Sequence, residues 1–400
     1  MNKEELHKFI NDNRTRALLK AHIDDDPSEF ALHYSEKSNL PVRAVAEQIA
    51  CYKKAVKKLP LLSKKEILYE RVALEQSSSE ATARYKTTLM QGQRLFDCTG
   101  GLGIDTFFLS TLFDKVVYCE KNPILAGLFS ENIKTLKKTN ITVHTGDCIT
   151  ILSQYPDNSF DWIYSDPSRR DTRGRYVGFS RCEPDITGYI ELFYKKAPNI
   201  CIKASPAFEM SEAEMQLPGL YTTVVVSVEG ECREILFLLN RKASSRSPLV
   251  KVVMLAADGA VEVEVERKGD EKLSRICSNT IGRYFYDPDP AIIKSRCSER
   301  VAEEFCIPFV NNTIDYMTSE RCVIDFPGRI FEVVTVIPWQ RKKVKQYLKE
   351  KNIIKANIAR RDFPLAPEEI KEMLKLGDGG EEYLFFTKGS HREQIVVHCR

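Results

Sequence analysis

Four carboxylates stand where short apolar runs of the chain end: Asp97, Glu120, Asp147 and Asp166. Each offers two acceptor oxygens, and the spacing assigns them different work. Glu120, twenty-three residues past Asp97, suits the two hydroxyls of a ribose, and Asp147 suits the amino group of an adenine ring. Asp166 can orient a nucleophile and take its proton. Between the first two acids lie Gly100, Gly101 and Gly103, followed by an apolar stretch over 107–112 with helical spacing. Glycines without Cβ let a strand turn sharply into a helix and bring backbone close to a ligand, while free amides at the helix start favour polar or anionic groups. A single acid at a strand end is usually a helix cap or turn former. Four in order point to a ligand bound beyond the carboxyl edge of an open α/β sheet.

Other chemistries fit less well. A dinucleotide fingerprint would map onto Gly101, Gly103 and Thr106, so its third small residue is missing. The six histidines form no H-E-x-x-H or i, i+4 pair, and no catalytic metal is expected. Twelve cysteines are scattered without a C-x-x-C pair, which fits buried reduced thiols. Cys182 alone has a loop position suited to nucleophilic attack.

The elements that must position these groups follow from periodicity. Strands are expected over 94–98, 115–120, 141–146, 160–165 and 200–204, with helices over 105–112, 122–138 and 188–195 between some of them. That alternation marks a parallel sheet with crossover helices. The β-rich runs 222–228 and 234–239 are so close that they must form a tight antiparallel hairpin. Ahead of the sheet, residues 1–90 read as helices over 4–19, 41–58 and 80–90, the last capped by Ser77, Ser78 or Ser79 and delivered to the edge where it can cover a ligand.

Length and composition agree with several domains. Four hundred residues exceed one core, and 43% apolar with 29% charged residues is ordinary for a globular protein. The division expected is a helical region over 1–90, a sheet domain over 91–240, a linker and hairpin over 241–273, a small ferredoxin-like α/β unit over 274–325 and a last domain over 326–400. A charged start and the lack of any eighteen-residue apolar stretch predict a soluble cytoplasmic protein without membrane contact. The net charge of +3 identifies no partner. Its distribution is more informative: arginines 169, 170, 173, 175 and 181 follow the Asp166-Pro167 pair, and nine Lys or Arg over 341–361 meet only Glu350. Such runs are more often a solvated helix face than a binding surface. The last domain reads strand (330–337), helix (341–350), strand (356–359), helix (367–376) and two strands near 382–387 and 393–398.

Taken in order, DCTGGLGID over 97–105, EKNP over 120–123, GD at 146–147, SDPSRRD over 165–171 and the antiparallel hairpin resemble the motifs of class I S-adenosylmethionine-dependent methyltransferases. More closely, the chain is similar to a bacterial group of such enzymes with a C-terminal THUMP-like domain, in which a DP-small-RR sequence forms the fourth motif. The Pro-Asp-Pro-Ala segment at 288–291 matches a second signature of that group. The first two motifs also resemble a guanine-N2 methyltransferase of small-subunit ribosomal RNA.

The resemblance implies a Rossmann-like seven-stranded sheet with an antiparallel terminal hairpin, an N-terminal helical region and C-terminal α+β domains. It implies S-adenosylmethionine (SAM) as cofactor, with Asp97, Thr99, Gly100, Gly101, Gly103 and Asp105 near its methionine part. Glu120 would hold the ribose, and Asp147 with Cys148 would flank the adenine. Asp166, Pro167, Ser168, Arg169 and Arg170 would form the catalytic floor facing an RNA acceptor, a base of rRNA or tRNA. Related amino methyltransferases carry an aromatic where this chain has Arg169. The guanidinium plane can stack on a base or grip phosphate, and the departure leaves open a small-molecule or protein acceptor, or an inactive RNA-binding protein.

Overall fold

The computed structural model describes residues 3–35, 41–169, 178–243 and 247–400, with Lys3, His7 and Arg169 described by their backbones alone. The chain forms two compact units: residues 1–229 with 233–248 and 255–262, and residues 230–232 with 249–254 and 263–400.

The first unit opens with α1 (Lys3–Asn11) and α2 (Asn13–Ala21) in place of one expected helix. Asp12 accepts the Arg14 N–H at 2.9 Å and so caps a new helix where the first stops. Then come α3 (Pro27–His33), α4 (Val42–Lys58), α5 (Arg71–Gln76) and α6 (Glu80–Lys86), the last capped by Ser79. The sheet region follows as β1 (Gly92–Asp97), α7 (Ile104–Leu109), β2 (Phe113–Glu120), α8 (Pro123–Thr135), β3 (Ile141–Thr145), α9 (Cys148–Ser153) and β4 (Trp162–Ser165). It continues with the two-residue strands β5 (Ser168–Arg169) and β6 (Cys182–Glu183), then α10 (Ile186–Lys196), β7 (Asn199–Ala204), α11 (Met210–Gln216), β8 (Leu220–Val228) and β9 (Glu231–Asn240).

Seven strands lie in the order β3-β2-β1-β4-β7-β9-β8. β3, β2, β1, β4 and β7 pair parallel, and β9 runs antiparallel to β7 with Asn199 opposite Asn240. The order reverses between β1 and β4, the switch point at which open α/β sheets bind ligands. Leu95, Phe96, Tyr118, Ile163, Ile200 and Ile202 are buried, as expected of strands covered on both faces.

The N-terminal helices do not form a region apart from the sheet. Leu6, Phe9, Val45, Ile49 and Tyr69 share one apolar core with Leu102, Ile104, Phe108 and Leu128. Two amides fix the docking. Asn132 of α8 exchanges hydrogen bonds with the Leu68 backbone at 2.7 and 2.8 Å, and Gln48 of α4 does so with Tyr69 at 2.6 and 2.9 Å.

β10 (Leu249–Leu255) and β11 (Val261–Lys268) pair as the expected hairpin, with Gly259 at φ +90° in its turn; residues 249–254 and 263–268 of these strands belong to the second unit. The rest comprises β12 (Tyr284–Pro288), α12 (Pro290–Lys294), α13 (Ser298–Phe305), β13 (Met317–Ser319), β14 (Gly328–Pro338), α14 (Arg341–Glu350), β15 (Asn357–Arg360), α15 (Pro367–Leu374), β16 (Tyr383–Lys388) and β17 (Gln394–Cys399). The stretches 274–325 and 326–400 contribute to one six-stranded sheet, ordered β13-β12-β14-β17-β16-β15, because β12 pairs antiparallel with β14. Alternation along β16 serves two cores: Phe385 packs with Phe285 and Phe331, while Leu384 and Phe386 pack with Val344, Leu348 and Ile370 of the helices. Within the Pro-Asp-Pro-Ala signature, Asp289 caps α12 by accepting the Ala291 N–H at 2.8 Å, and Pro290 starts the helix.

Candidate active site

The carboxyl ends of β1, β2, β3, β4 and β7 open onto one cavity of about 810 Å³, within the range of small-molecule sites. Asp97, Glu120, Asp147 and Asp166 all line it, as do Thr99, the three glycines, Asp105, Cys148, Pro167 and Ser168. Arg170 lies outside the described residues, as do arginines 173 and 175.

Each acid is held differently. Asp97 is buried; its Oδ1 accepts the Thr99 N–H at 2.9 Å and its Oδ2 the Thr106 hydroxyl at 2.5 Å. Burial pushes its carboxyl up to about 7 against those two hydrogen bonds. Glu120 accepts the Gly101 N–H at 2.8 Å through Oε2 and the Asn122 N–H at 2.7 Å through Oε1. Each oxygen keeps a lone pair for a ligand hydroxyl. Asp147 caps α9 through the Thr150 N–H at 2.9 Å, which holds its carboxyl below the usual range. The cap and a place on the cavity wall coexist in one residue. Asp166 donates its N–H to Thr99 Oγ1 at 2.6 Å, and its Oδ2 meets Lys203 Nζ at 2.5 Å.

The glycine turn works otherwise than as a cradle of free amides. The Gly100 N–H bonds Cys119 O at 2.8 Å, the Gly101 N–H goes to Glu120, and the Gly103 N–H bonds Gly100 O at 2.8 Å. Beneath the turn Tyr118 and Phe129 stack with centroids 4.2 Å apart. A Cβ on Gly100 would fall 2.1 Å from Tyr118 Cε2, and one on Gly103, at φ +80°, 2.1 Å from Phe129 Cδ2. These two glycines let the loop lie on the ring pair. A Cβ on Gly101, at φ +54°, would meet nothing nearer than Thr99 O at 3.8 Å, so this face of the turn is open.

Asp105 lines the cavity, yet its carboxylate turns into the protein. It accepts Ser78 Oγ and Tyr164 OH, both at 2.7 Å, and pairs with the fully buried Lys86 at 3.1 Å. Lys86 also meets buried Glu234 at 2.7 Å. Burial disfavours the Lys203 ammonium, but Asp166, Asp105 and Glu234 outweigh it and raise its pKa. Two lysines and three carboxylates thus form a paired layer under the β4 and β7 ends, which satisfies charges that burial would otherwise make costly.

Lys203, Arg233 and Glu234 also line the cavity, as do Ala73, Gln76, Ser77 and Ser78, and none of them is marked by a strand-end acid. The same strand-end rule applied to bases selects Lys203, next to last in β7. Cys182 is buried, with Sγ 3.7 Å from Gly178 O and away from the cavity wall, so it is not placed as a nucleophile. Among the described residues no group of three or more His, Cys, Asp or Glu is placed to hold a metal ion, and no helix is long and apolar enough to cross a membrane.

A sheet of this order, reversed beside a glycine turn, with an acid after each of four strands and an antiparallel hairpin after the parallel ones, has the fold of class I SAM-dependent methyltransferases. The comparisons agree. Residues 28–170 match the family model described as "Putative SAM-dependent methyltransferase", and residues 328–400 match the one described as "THUMP domain-like". A crystal structure from Porphyromonas gingivalis W83, described as a "putative methyltransferase", is similar at TM-score 0.83 and 25% identity, covering 100% of this chain and 99% of that one. An uncharacterized S-adenosylmethionine-dependent methyltransferase of Mycobacterium tuberculosis (strain ATCC 25618 / H37Rv) is 18% identical over 314 residues, 77% of this chain and 81% of that protein. An uncharacterized protein of Bacillus subtilis (strain 168) is 37% identical over 91 residues, 20% of this chain and 35% of that protein. The chain is a SAM-dependent methyltransferase carrying a C-terminal THUMP-like domain.

The residues present suit the cofactor. Glu120 has a lone pair on each oxygen for vicinal hydroxyls, Gly101 leaves room for close approach, and carboxylates on the wall favour a sulfonium cation.

Proposed function

We propose that the protein methylates a base of RNA. When bound, SAM supplies a methyl group already activated by its sulfonium, so the chain needs chiefly to place an acceptor in line and exclude water. Glu120 holds the ribose, Asp147 and Cys148 flank the adenine, and Asp97, Thr99 and the Gly100, Gly101 and Gly103 turn surround the methionine part. Asp105 acts through Lys86, Ser78 and Tyr164 as a support of the floor. Asp166, fixed by Thr99 and Lys203, orients the acceptor and receives its proton, with Pro167, Ser168, Arg169 and Arg170 forming the rest of that floor.

The observation that carries RNA as the acceptor is the face of α14, in the stretch matching the THUMP-like model. Val344 and Leu348 are buried, while Arg341, Lys342, Lys343 and Lys349 are exposed, and none of these four forms an ion pair among the described residues. Such a face suits phosphates. The far end of the basic run has a different role: Arg361 pairs with buried Asp287 at 2.5 Å and lies over Tyr316, its guanidinium carbon 4.3 Å from the ring centre, and Arg360 bonds Phe363 O at 2.8 Å.

Mass spectrometry of RNA from cells lacking the protein should reveal a missing methylated nucleoside. Replacing Lys342, Lys343 and Lys345 with alanine should weaken RNA binding evenly across sequences and flatten its salt dependence by up to about 0.7 per lost single-strand contact. An unchanged nucleoside profile, with unchanged affinity and salt slope, would move the acceptor to a small molecule or protein.

A further inference from the structure

The fourth motif of this chain lacks the aromatic residue that would stack on a planar acceptor, yet the cavity wall carries an exposed ring from another element. Among its described lining residues only Tyr164 and Tyr189 are aromatic. Tyr164 is buried, and its hydroxyl is committed to Asp105. Tyr189 is 40% exposed and makes no ring contact or side-chain hydrogen bond with any described residue.

Its place in α10 makes that exposure informative. Ile186, Ile190 and Phe193 form the buried stripe of the helix, and Tyr189, three residues after the first and four before the last, stands at the stripe's edge. A tyrosine there would ordinarily pack inward or hydrogen-bond. Here it borders open cavity instead. Its backbone is firmly placed, since Asp185 caps α10 through the Gly188 N–H at 2.9 Å, and the Tyr189 N–H bonds Asp185 O at 3.2 Å. The acceptor motif is tied to the same segment: Ser168 pairs with Glu183 in the β5–β6 ladder, two residues before the cap.

From this geometry we infer that Tyr189 is the stacking surface for a planar heteroaromatic acceptor, taking the part that the fourth motif assigns to its own aromatic in related amino methyltransferases. The inference rests on the RNA-base reading and narrows it to a base turned out of its stack and laid against this ring. Tyr189 would then determine which acceptors are taken and leave cofactor binding alone.

The test uses the full chain, radiolabelled SAM and total RNA from a strain lacking the protein. Tyr189→Phe and Tyr189→Trp keep a π face and should retain kcat/KM for RNA within about threefold. Tyr189→Ala and Tyr189→Leu should lower it by about 5- to 150-fold, the effect of losing one base–aromatic stack. Leucine separates stacking from plain apolar packing. Calorimetric SAM affinity and melting temperature should be unchanged in all four. Wild-type transfer in the leucine variant overturns the stacking role, and loss of SAM affinity in step with transfer overturns it in favour of a cofactor contact. No transfer by the wild type to that RNA refutes the RNA reading, and the inference falls with it.

Discussion

Glu120→Gln tests the cofactor end because the carboxylate does two things at once. Its two oxygens accept the Gly101 and Asn122 amides at 2.8 and 2.7 Å, so it ties the glycine turn to the start of α8 before any ligand arrives. Glutamine keeps one oxygen. Whichever way its amide turns, an NH₂ group faces one of those backbone donors, and one hydrogen bond becomes a contact between two donors. Losing a charge-assisted bond at a half-buried site costs about 1–2 kcal/mol, which for a unit of this size lowers the melting temperature by about 2–8 °C. SAM loses more, because the ribose hydroxyls lose a charged acceptor for which one neutral amide oxygen is a weaker substitute, and affinity should fall about 5- to 150-fold, or about 1–3 kcal/mol. Calorimetry gives the affinity, and scanning melts with and without SAM give both effects, since a ligand bound only by the folded state raises its stability by mass action. A variant that melts lower yet binds SAM as wild type would leave Glu120 a loop anchor and remove it from the cofactor site.

Gly103→Ala should destabilise the first unit by about 2–5 kcal/mol, combining left-handed backbone strain with a Cβ driven into Phe129, whereas Gly101→Ala should cost only about 1 kcal/mol of strain. Equal melting temperatures for the two would refute the role given to the ring pair. Burial holds the Asp97 carboxyl at about 7, so the folded state binds a proton that the unfolded state releases near pH 4. This group therefore stabilises most at low pH, and its contribution falls as pH rises from about 4 to about 7, by up to about 1.4 kcal/mol per pH unit. Urea unfolding of wild type and Asp97→Asn at pH 4.5, 6 and 8 should show wild type losing ground to the variant across that window. A difference independent of pH would contradict it.

Much of the sheet could be read from local pattern. The five parallel strands begin and end within two residues of the apolar runs, because strands buried on both faces leave a continuous signal. The helix α9 leaves no legible signal in the sequence, since six residues are too few for a period and a carboxylate at a strand end looks the same whether it meets a ligand or caps a helix. The single helix expected over 4–19 failed at Asp12, whose local hydrogen bond overrides a helical period that continues past it. At the site, the four strand-end acids converge on one cavity as their order suggested. What lay hidden was long-range. Nothing near Gly100 or Gly103 in the chain announces the ring pair from β2 and α8 beneath them. The pairing of Lys86 with Asp105 and Glu234 likewise joins residues as many as 148 positions apart.

That last pairing bears on how the chain can be divided. Lys86 sits on the final N-terminal helix, while its partners stand on α7 and β9. A fragment starting at residue 91 would keep every motif that marks the enzyme. It would also lose Lys86, which pairs with Asp105, lay bare Leu102, Ile104, Phe108 and Leu128, and take away the wall formed by Ser77 and Ser78. The cooperative unit of this sheet therefore includes the helices ahead of it, which supply part of its core, its buried charge pairing and its cavity wall.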